Sequence, residues 1–223
     1  FRSWNYPLQI LARVAGAALA MGNTLVVKPA EDASLSAIRI AELALEAGIP
    51  EGVFNVITGY GRDAGAALSA HPGVDYVTFT GSPMTGTAIQ QAAAVNNRGV
   101  TMELGGKSPQ IVFADADIEA ALPVLVNAII QNGGQTCSAG SRILIEKPVY
   151  EQIATALAAR FSKLTAGPHE ADLDLGALIN PKQKERVAGF VAAAEEAGIP
   201  VLARGRIAAD APAGGWYFPP ALF

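Results

Sequence analysis

The one cysteine of the chain, Cys137, stands in Asn132-Gly133-Gly134-Gln135-Thr136-Cys137-Ser138-Ala139-Gly140-Ser141-Arg142. A structural cysteine commonly sits on an apolar face, where the thiol behaves as a small hydrophobe. This one is set among glycines, amides and hydroxyls, where a substrate can reach it. Thirty-four residues earlier, in Met102-Glu103-Leu104-Gly105-Gly106-Lys107-Ser108-Pro109, the carboxylate of Glu103 ends an apolar run and two glycines follow. A thiol nucleophile and a carboxylate base, each in a glycine-softened loop, are the minimum apparatus for covalent catalysis through a thioester.

The elements that must position these groups alternate short β-rich runs with longer helical patterns, which argues for an α/β protein with a mainly parallel sheet. Strands are expected at Thr24–Lys28, Val53–Ile57, Val74–Thr80, Val100–Leu104, Gln110–Phe113 and Ile143–Glu146. Helices are expected at Leu8–Ala20, Ser34–Ala47, Arg62–Ala70, Met84–Ala93, Ile118–Gln131, Tyr150–Leu164 and Lys182–Ala197. In the second helix Leu35, Ile38, Ala41 and Leu45 fall on one face, and Arg39, Glu42 and Glu46 on the other. Glu-Ala-Gly-Ile-Pro occurs twice, at 46–50 and 196–200. We read it as two helix ends, each with Gly at the left-handed cap and Pro beyond, rather than as a duplication. A domain boundary is expected at the glycines after Glu103.

Composition narrows the function classes. Hydrophobic residues make up 51% of the chain and charged residues 16%, ordinary for a well-buried globular protein. A net charge of −4 gives no basic footprint for nucleic acid. The small-residue apolar run Val14–Gly22 is too short to span a bilayer, which takes roughly 20 residues. No charged-then-apolar leader opens the sequence. A single cysteine leaves no internal disulfide and fits a reducing cytoplasm. His71 and His169 stand far apart without companion cysteines, so no metal site is expected. The sequence opens on Phe1 and stops within a pattern at Phe223, and we expect it to be a piece of a longer protein.

Five segments resemble the aldehyde dehydrogenase superfamily in order and spacing. They are Trp4-Asn5-Tyr6-Pro7-Leu8, Gly22-Asn23-Thr24-Leu25-Val26-Val27-Lys28-Pro29-Ala30-Glu31, Phe79-Thr80-Gly81-Ser82, and the two segments around Glu103 and Cys137. Together they cover residues 4 to about 142. The resemblance implies a Rossmann-like NAD(P)-binding portion over 1–104, then part of an α/β catalytic domain carrying the thiol over 105–223. It also implies missing portions at both ends, including a Glu-x-Phe-Gly-Pro segment that touches the nicotinamide ribose in relatives.

No Gly-x-Gly-x-x-Gly fingerprint is present. In its place Phe79, Thr80, Gly81 and Ser82 follow a strand, and the residues after Gly81 can open a helix whose free N–H groups face an anion. A plain strand-to-helix capping turn would read the same way. The resemblance places this segment over the cofactor pyrophosphate and gives the adenine ribose to Lys28 and Glu31. It adds Trp4, Gly61, Leu104 and Gly105 to the cofactor contacts. Read alone, Glu31 is a solvated acid near a helix start. A Glu31 carboxylate repels a 2′-phosphate, so NAD is the expected cofactor, while Lys28 pulls toward NADP.

The chemistry the resemblance implies is nucleophilic attack by Cys137 on an aldehyde, with the Asn5 amide and the Cys137 backbone N–H as oxyanion donors. Hydride passes to the nicotinamide, and Glu103 activates the water that hydrolyses the thioester. Lys107 steadies Glu103 and its loop by charge. Branches that use coenzyme A commonly lack a carboxylate at the place of Glu103, so water is the expected acceptor. Asn5 read alone is a turn residue before Pro7, and Lys107 a surface cation.

For the substrate, the resemblance points to Ile10 and Arg13 on the first helix and to Gln131 and Thr136 before Cys137. Arg13 lies two helical turns past Asn5 and can face the same side. A guanidinium grips a carboxylate in two parallel bonds, which suggests a polar or carboxylate-bearing aldehyde of modest size, including semialdehydes. The competing reading pairs Arg13 with an acid at the domain boundary. A homo-oligomer in the cytoplasm is expected, without nucleic-acid or membrane partners. Two rival classes stand beside the enzyme reading. A cysteine hydrolase would need a histidine near Cys137, with His169 the near candidate in sequence. A non-catalytic relative would have no use for Asn5, Glu103 and Cys137 together.

Overall fold

The computed structural model describes residues 1–223. The chain divides into two compact units, Phe1–Gly105 and Gly106–Phe223.

In the first unit, helix α1 (Pro7–Ala20) starts with Pro at its first turn, where a missing N–H costs nothing. It buries Ile10, Leu11 and Ala15. Strand β1 (Leu25–Val27) follows, then α2 (Leu35–Glu46), β2 (Phe54–Val56) and a wide helical turn at Gly61–Gly65 that leads into α3 (Ala66–Ala70). Strand β3 (Tyr76–Gly81), α4 (Pro83–Ala94) and β4 (Gly99–Leu104) complete the unit. β1 pairs in parallel with β2, and β3 in parallel with β4 in the register Thr80 to Glu103 and Gly81 to Leu104. Two small apolar cores result. One packs Leu11, Ala15, Val27, Ala37 and Phe54, and the other packs Val77, Phe79, Ile89 and Ala93.

The first two residues link the two ladders. The Phe1 nitrogen donates to the Thr78 carbonyl at 2.7 Å, and the Arg2 N–H donates to the Lys28 carbonyl at 3.1 Å. Successive residues of a strand turn their N–H groups to opposite sides, so Phe1 and Arg2 run as extended chain between β1 and β3. A groove of about 500 Å³ continues this line, with Leu25, Val26 and Val27 on one wall and Tyr76, Val77 and Thr78 on the other. It also reaches Asn23 and Gly73, before the strands begin. Lys28 and Ser82 lie past the opposite, carboxyl ends, where ligands of open α/β sheets bind. The groove is therefore not the place of the expected cofactor residues.

In the second unit, β5 (Pro109–Val112) and β6 (Arg142–Ile145) pair in parallel, joined through α5 (Ile118–Ile130). Then come α6 (Tyr150–Phe161), β7 (Thr165–Ala166), α7 (Pro181–Glu196), β8 (Ala203–Arg204), β9 (Arg206–Ile207) and β10 (Ala221–Leu222). β7 pairs in parallel with β9, and β8 antiparallel with β10. The core joins Val112, Leu122, Leu125 and Val126 to Ile153, Leu157, Phe161 and Leu164. Asp117 opens α5 by accepting the Ala120 N–H, and Asn180 opens α7 by accepting the Gln183 N–H.

Every expected helix and strand is present, with ends moved by a few residues, and most ladders are parallel. Three differences have physical reasons. The Arg62–Ala70 segment opens as a wide turn, with the Gly65 N–H reaching back to the Tyr60 carbonyl, and only Ala66–Ala70 is regular helix. On α2 the packed face holds Ala37, Ile40, Ala41 and Ala44, whereas Leu35, Ile38 and Leu45 are exposed. The helix thus turns Ala37, Ile40, Ala41 and Ala44 toward the small core of Val27 and Phe54, a face rotated from the one that the leucines mark. The charged face is as expected, with Arg39 bonded to Glu42 and Glu46. The short strands after residue 164 carry no pattern of their own. The two Glu-Ala-Gly-Ile-Pro segments end α2 and α7 alike: Ile49 and Ile199 donate to Ala44 and Ala194, with Gly48 and Gly198 at positive φ.

Candidate active site

Cys137 sits in a loop that the local sequence forces out of regular structure. Asn132, Gly133 and Gly134 take φ of 52°, 62° and 75°, three successive left-handed residues that end α5 abruptly. Two of the three are glycines, which adopt that conformation without strain. The Ala139 N–H then closes a turn on the Thr136 carbonyl at 3.1 Å, with Cys137 and Ser138 at its tip. Both are exposed, and the thiol is free.

Amide side chains hold this loop. Gln135 donates Nε2 to the Asn132 carbonyl at 2.9 Å and accepts the Ile179 N–H on Oε1 at 2.9 Å. Gln110 on β5 donates to the Gly140 carbonyl at 2.9 Å, and the Gly140 N–H donates to Ala128 on α5. Neither glutamine was among the expected site residues. Of the two, only Gln135 had a signal, its place two residues before the thiol. Gln131 is exposed and Thr136 half-buried on the same loop. The Gly106 backbone lies close to the Cys137 carbonyl, since a Cβ at Gly106 would stand 3.8 Å from that oxygen. Lys107 Nζ donates to the Gly106 carbonyl at 3.0 Å, and Arg142 Nε to the Lys107 carbonyl at 2.8 Å. The Lys107 ammonium thus serves its own loop backbone.

His169, the histidine a hydrolase would need, pairs through Nδ1 with its neighbour Glu170 at 3.2 Å and is almost fully exposed. His71 accepts the Gly73 N–H and stabilises its own turn. No group of three or more His, Cys, Asp or Glu side chains is arranged to hold a metal ion. No helix is long and apolar enough to cross a membrane.

In the first unit the structure brings Lys28, Glu31 and Gly61 together. Lys28 is buried, and its Nζ donates to the Pro29 carbonyl at 2.9 Å and to Glu31 Oε1 at 3.1 Å. The Gly61 N–H donates to the same oxygen at 2.6 Å. Burial disfavours the charged Glu31 carboxylate. Bonds from its own backbone N–H, Lys28 and Gly61 outweigh that cost and hold its pKa below the usual range. Glu31 is therefore a fixed anion just past the end of β1.

The end of β3 builds the second cluster. Phe79 and Thr80 are buried, Gly81 is the last strand residue, and Ser82 Oγ caps α4 by accepting the Thr85 N–H. A side chain at Gly81 would press on the Phe79 ring, which would have to shift to admit it. Leu104, partly exposed at the end of β4, is the register partner of Gly81, and Gly105 follows it. Pro83 carries no N–H and the Thr85 N–H is taken by Ser82, so of the first turn the Met84 N–H is what α4 offers an anion.

Asn5 precedes α1, and its Oδ1 accepts from Ser3 Oγ at 2.8 Å, which fixes the amide rotamer. Trp4 is half-buried beside it. Ile10 is buried with Leu11 and belongs to the packing rather than to an open surface. Arg13 stands against Glu103, Nη2 to Oε1 at 3.7 Å. Of its two readings, pairing with an acid is the arrangement seen.

A sequence profile of the aldehyde dehydrogenase family matches residues 1–223. A hydroxyisobutyraldehyde dehydrogenase of Mycolicibacterium austroafricanum is 44% identical over 221 residues, 99% of this chain and 44% of that protein. The crystal structure of PnpE in complex with nicotinamide adenine dinucleotide superposes with a TM-score of 0.93 at 41% identity, over 99% of this chain and 46% of that one. A betaine aldehyde dehydrogenase structure from Staphylococcus aureus, in complex with NAD+, gives 0.91 at 37% identity, over 99% and 44%. The chain thus spans less than half the length of these relatives. With a match along its whole length and a fold shared at this identity, the chain belongs to the aldehyde dehydrogenase family.

Proposed function

We propose that the full-length protein oxidises an aldehyde to a carboxylic acid with NAD, through a covalent intermediate on Cys137 that water resolves with Glu103 as general base. The observation that carries this reading is the Cys137 turn itself. A free, exposed thiol stands at the tip of a glycine-formed loop pinned by Gln110 and Gln135. Sγ, its proton first lost to solvent, attacks the carbonyl carbon as thiolate, a C–S bond forms, and the oxygen becomes an alkoxide for which the Asn5 amide and the Cys137 N–H are the proposed donors. NAD, when bound, supplies the two-electron acceptor that takes the aldehyde hydrogen as hydride. Water then adds to the thioester, Glu103 takes its proton, the C–S bond breaks, and the acid leaves. Reduction of NAD on adding aldehydes to the full-length protein tests this. Activity lost on replacing both histidines, with Cys137 intact, would favour a hydrolase.

The chain's own residues fit the cofactor. The Glu31 anion, held by Lys28 and Gly61, suits the hydroxyls of the adenine ribose, and the α4 opening at Gly81–Ser82 suits the pyrophosphate. Trp4, Phe79, Thr80, Leu104 and Gly105 complete the proposed contacts. Because Glu31 stays ionised, NAD should be preferred over NADP. Glu31→Gln should raise the KM for NAD by about tenfold or more, the worth of charge-assisted bonds to a diol, and narrow the gap to NADP. Steady-state KM values for both cofactors check this, and a wild-type preference for NADP would show that Lys28 dominates.

The substrate we propose is a polar aldehyde of modest size. The Mycolicibacterium relative is named for a small hydroxylated aldehyde, and Gln131 and Thr136 give the Cys137 loop a polar approach. Lactaldehyde or succinic semialdehyde should exceed hexanal in kcat/KM by about tenfold, the discrimination that one or two hydrogen-bonding groups give. Better turnover of hexanal would overturn it. We place the protein in the cytoplasm as a homo-oligomer. The location rests on its one unpaired cysteine, and the oligomer on family likeness.

A further inference from the structure

We infer that Arg13 is a positioning residue for Glu103, an ion pair from α1 to the end of β4 that orients the carboxylate. This rests on the reading of Glu103 as the general base.

The two residues lie ninety positions apart, yet Arg13 Nη2 stands 3.7 Å from Glu103 Oε1. Both side chains are more than half exposed, 65% and 52%, so packing does not fix the carboxylate. A charge contact is what remains to orient it. Exposed pairs usually contribute little, because two long side chains must be ordered for a screened attraction. This pair has a further feature. Arg2 lies in the same unit, buried to 8% exposure, and its guanidinium binds the Phe1 carbonyl and Thr78 Oγ1 rather than an acid. Its Nε has no partner. Burial draws the Arg2 pKa down to about 10, and the Arg13 charge adds to that effect. The Arg13 charge is thus felt at Arg2, and the acid that pairs with Arg13 is Glu103.

The placement also couples two parts of the proposed chemistry. Asn5 stands two residues before α1, and Arg13 lies two turns into it. One rigid helix therefore sets both the proposed oxyanion donor and the cation that steadies the base. At 3.7 Å the contact is one of charge rather than a hydrogen bond, so a lysine can replace the guanidinium.

The test uses the full-length enzyme, NAD and hexanal, a neutral aldehyde with no carboxylate for Arg13 to bind. Arg13→Met should keep the rapid first burst of reduced cofactor and the KM for hexanal. Its steady rate should fall about fivefold, the most an exposed pair contributes. Arg13→Lys should recover most of that loss. Placed in a Glu103→Gln background, Arg13→Met should add nothing, because it acts through the carboxylate. The inference is overturned if the steady rate is unchanged, if the loss persists in the Glu103→Gln background, or if the effect is confined to the KM of succinic semialdehyde. Should Glu103→Gln alone leave the steady rate intact, the base reading fails and this inference falls with it.

Discussion

Cys137→Ala in the full-length enzyme should abolish aldehyde oxidation while leaving NAD affinity within about twofold of wild type. The proposed reaction runs through a bond to sulfur, and a methyl group offers no substitute nucleophile. The loss should reach about six orders of magnitude, as removal of a nucleophile does elsewhere. The fold should survive. The side chain is exposed at a turn tip, where substitutions stay within about 0.5 kcal/mol. The loop is held by Gln135, Gln110 and the Gly140 N–H, not by the thiol. Iodoacetamide should inactivate the wild type, with aldehyde or cofactor changing the rate, and the label should sit on Cys137. Substantial turnover in that variant would sink the covalent mechanism.

What the sequence revealed and what it hid divide along a physical line. The alternation of helix and strand was legible because each element carries its own period or β-branched run, as in Leu25-Val26-Val27. The strands of two residues each, β7 to β10, carry no period. Their hydrogen bonds come from chain brought together by α6 and its neighbours. The packed face of α2 was misread for a related reason. Periodicity places Leu35, Ile38 and Leu45 on one stripe, but the helix packs through the neighbouring stripe of Ala37, Ile40, Ala41 and Ala44. Hydrophobicity says which residues favour burial, and the rotation of the packed helix decides which of them get it.

The site shows the same division. Residue types with chemistry of their own, a lone thiol and a carboxylate at a strand end, stand out in the bare sequence. Residues that act through a distant partner do not. Gln135 reaches Ile179, forty-four residues on, and nothing near either one signals the bond. Glu31 was legible only through family likeness, since its neighbours Lys28 and Gly61 converge on one oxygen through the fold. Arg13 and Glu103 lie ninety residues apart, and only the fold brings their side chains to 3.7 Å.

Glu103→Gln should separate the two halves of the proposed reaction. The amide keeps the shape and volume of the carboxylate but cannot take a proton from water. The attack of Cys137 and the hydride step need no such proton transfer. One burst of reduced cofactor per active site should therefore appear at close to the wild-type rate. Turnover should then slow by a factor of about 100 to 10,000, the usual worth of a general base. The thioester should accumulate, and a strong neutral nucleophile such as hydroxylamine should discharge it without help from the base. Added hydroxylamine should accordingly restore steady turnover in Glu103→Gln far more than in the wild type. Rapid-mixing measurements of NADH with and without hydroxylamine decide the matter. If the burst itself disappears, Glu103 acts earlier, in forming the thiolate. Then the exposed ion pair with Arg13 bears on nucleophile activation rather than on hydrolysis.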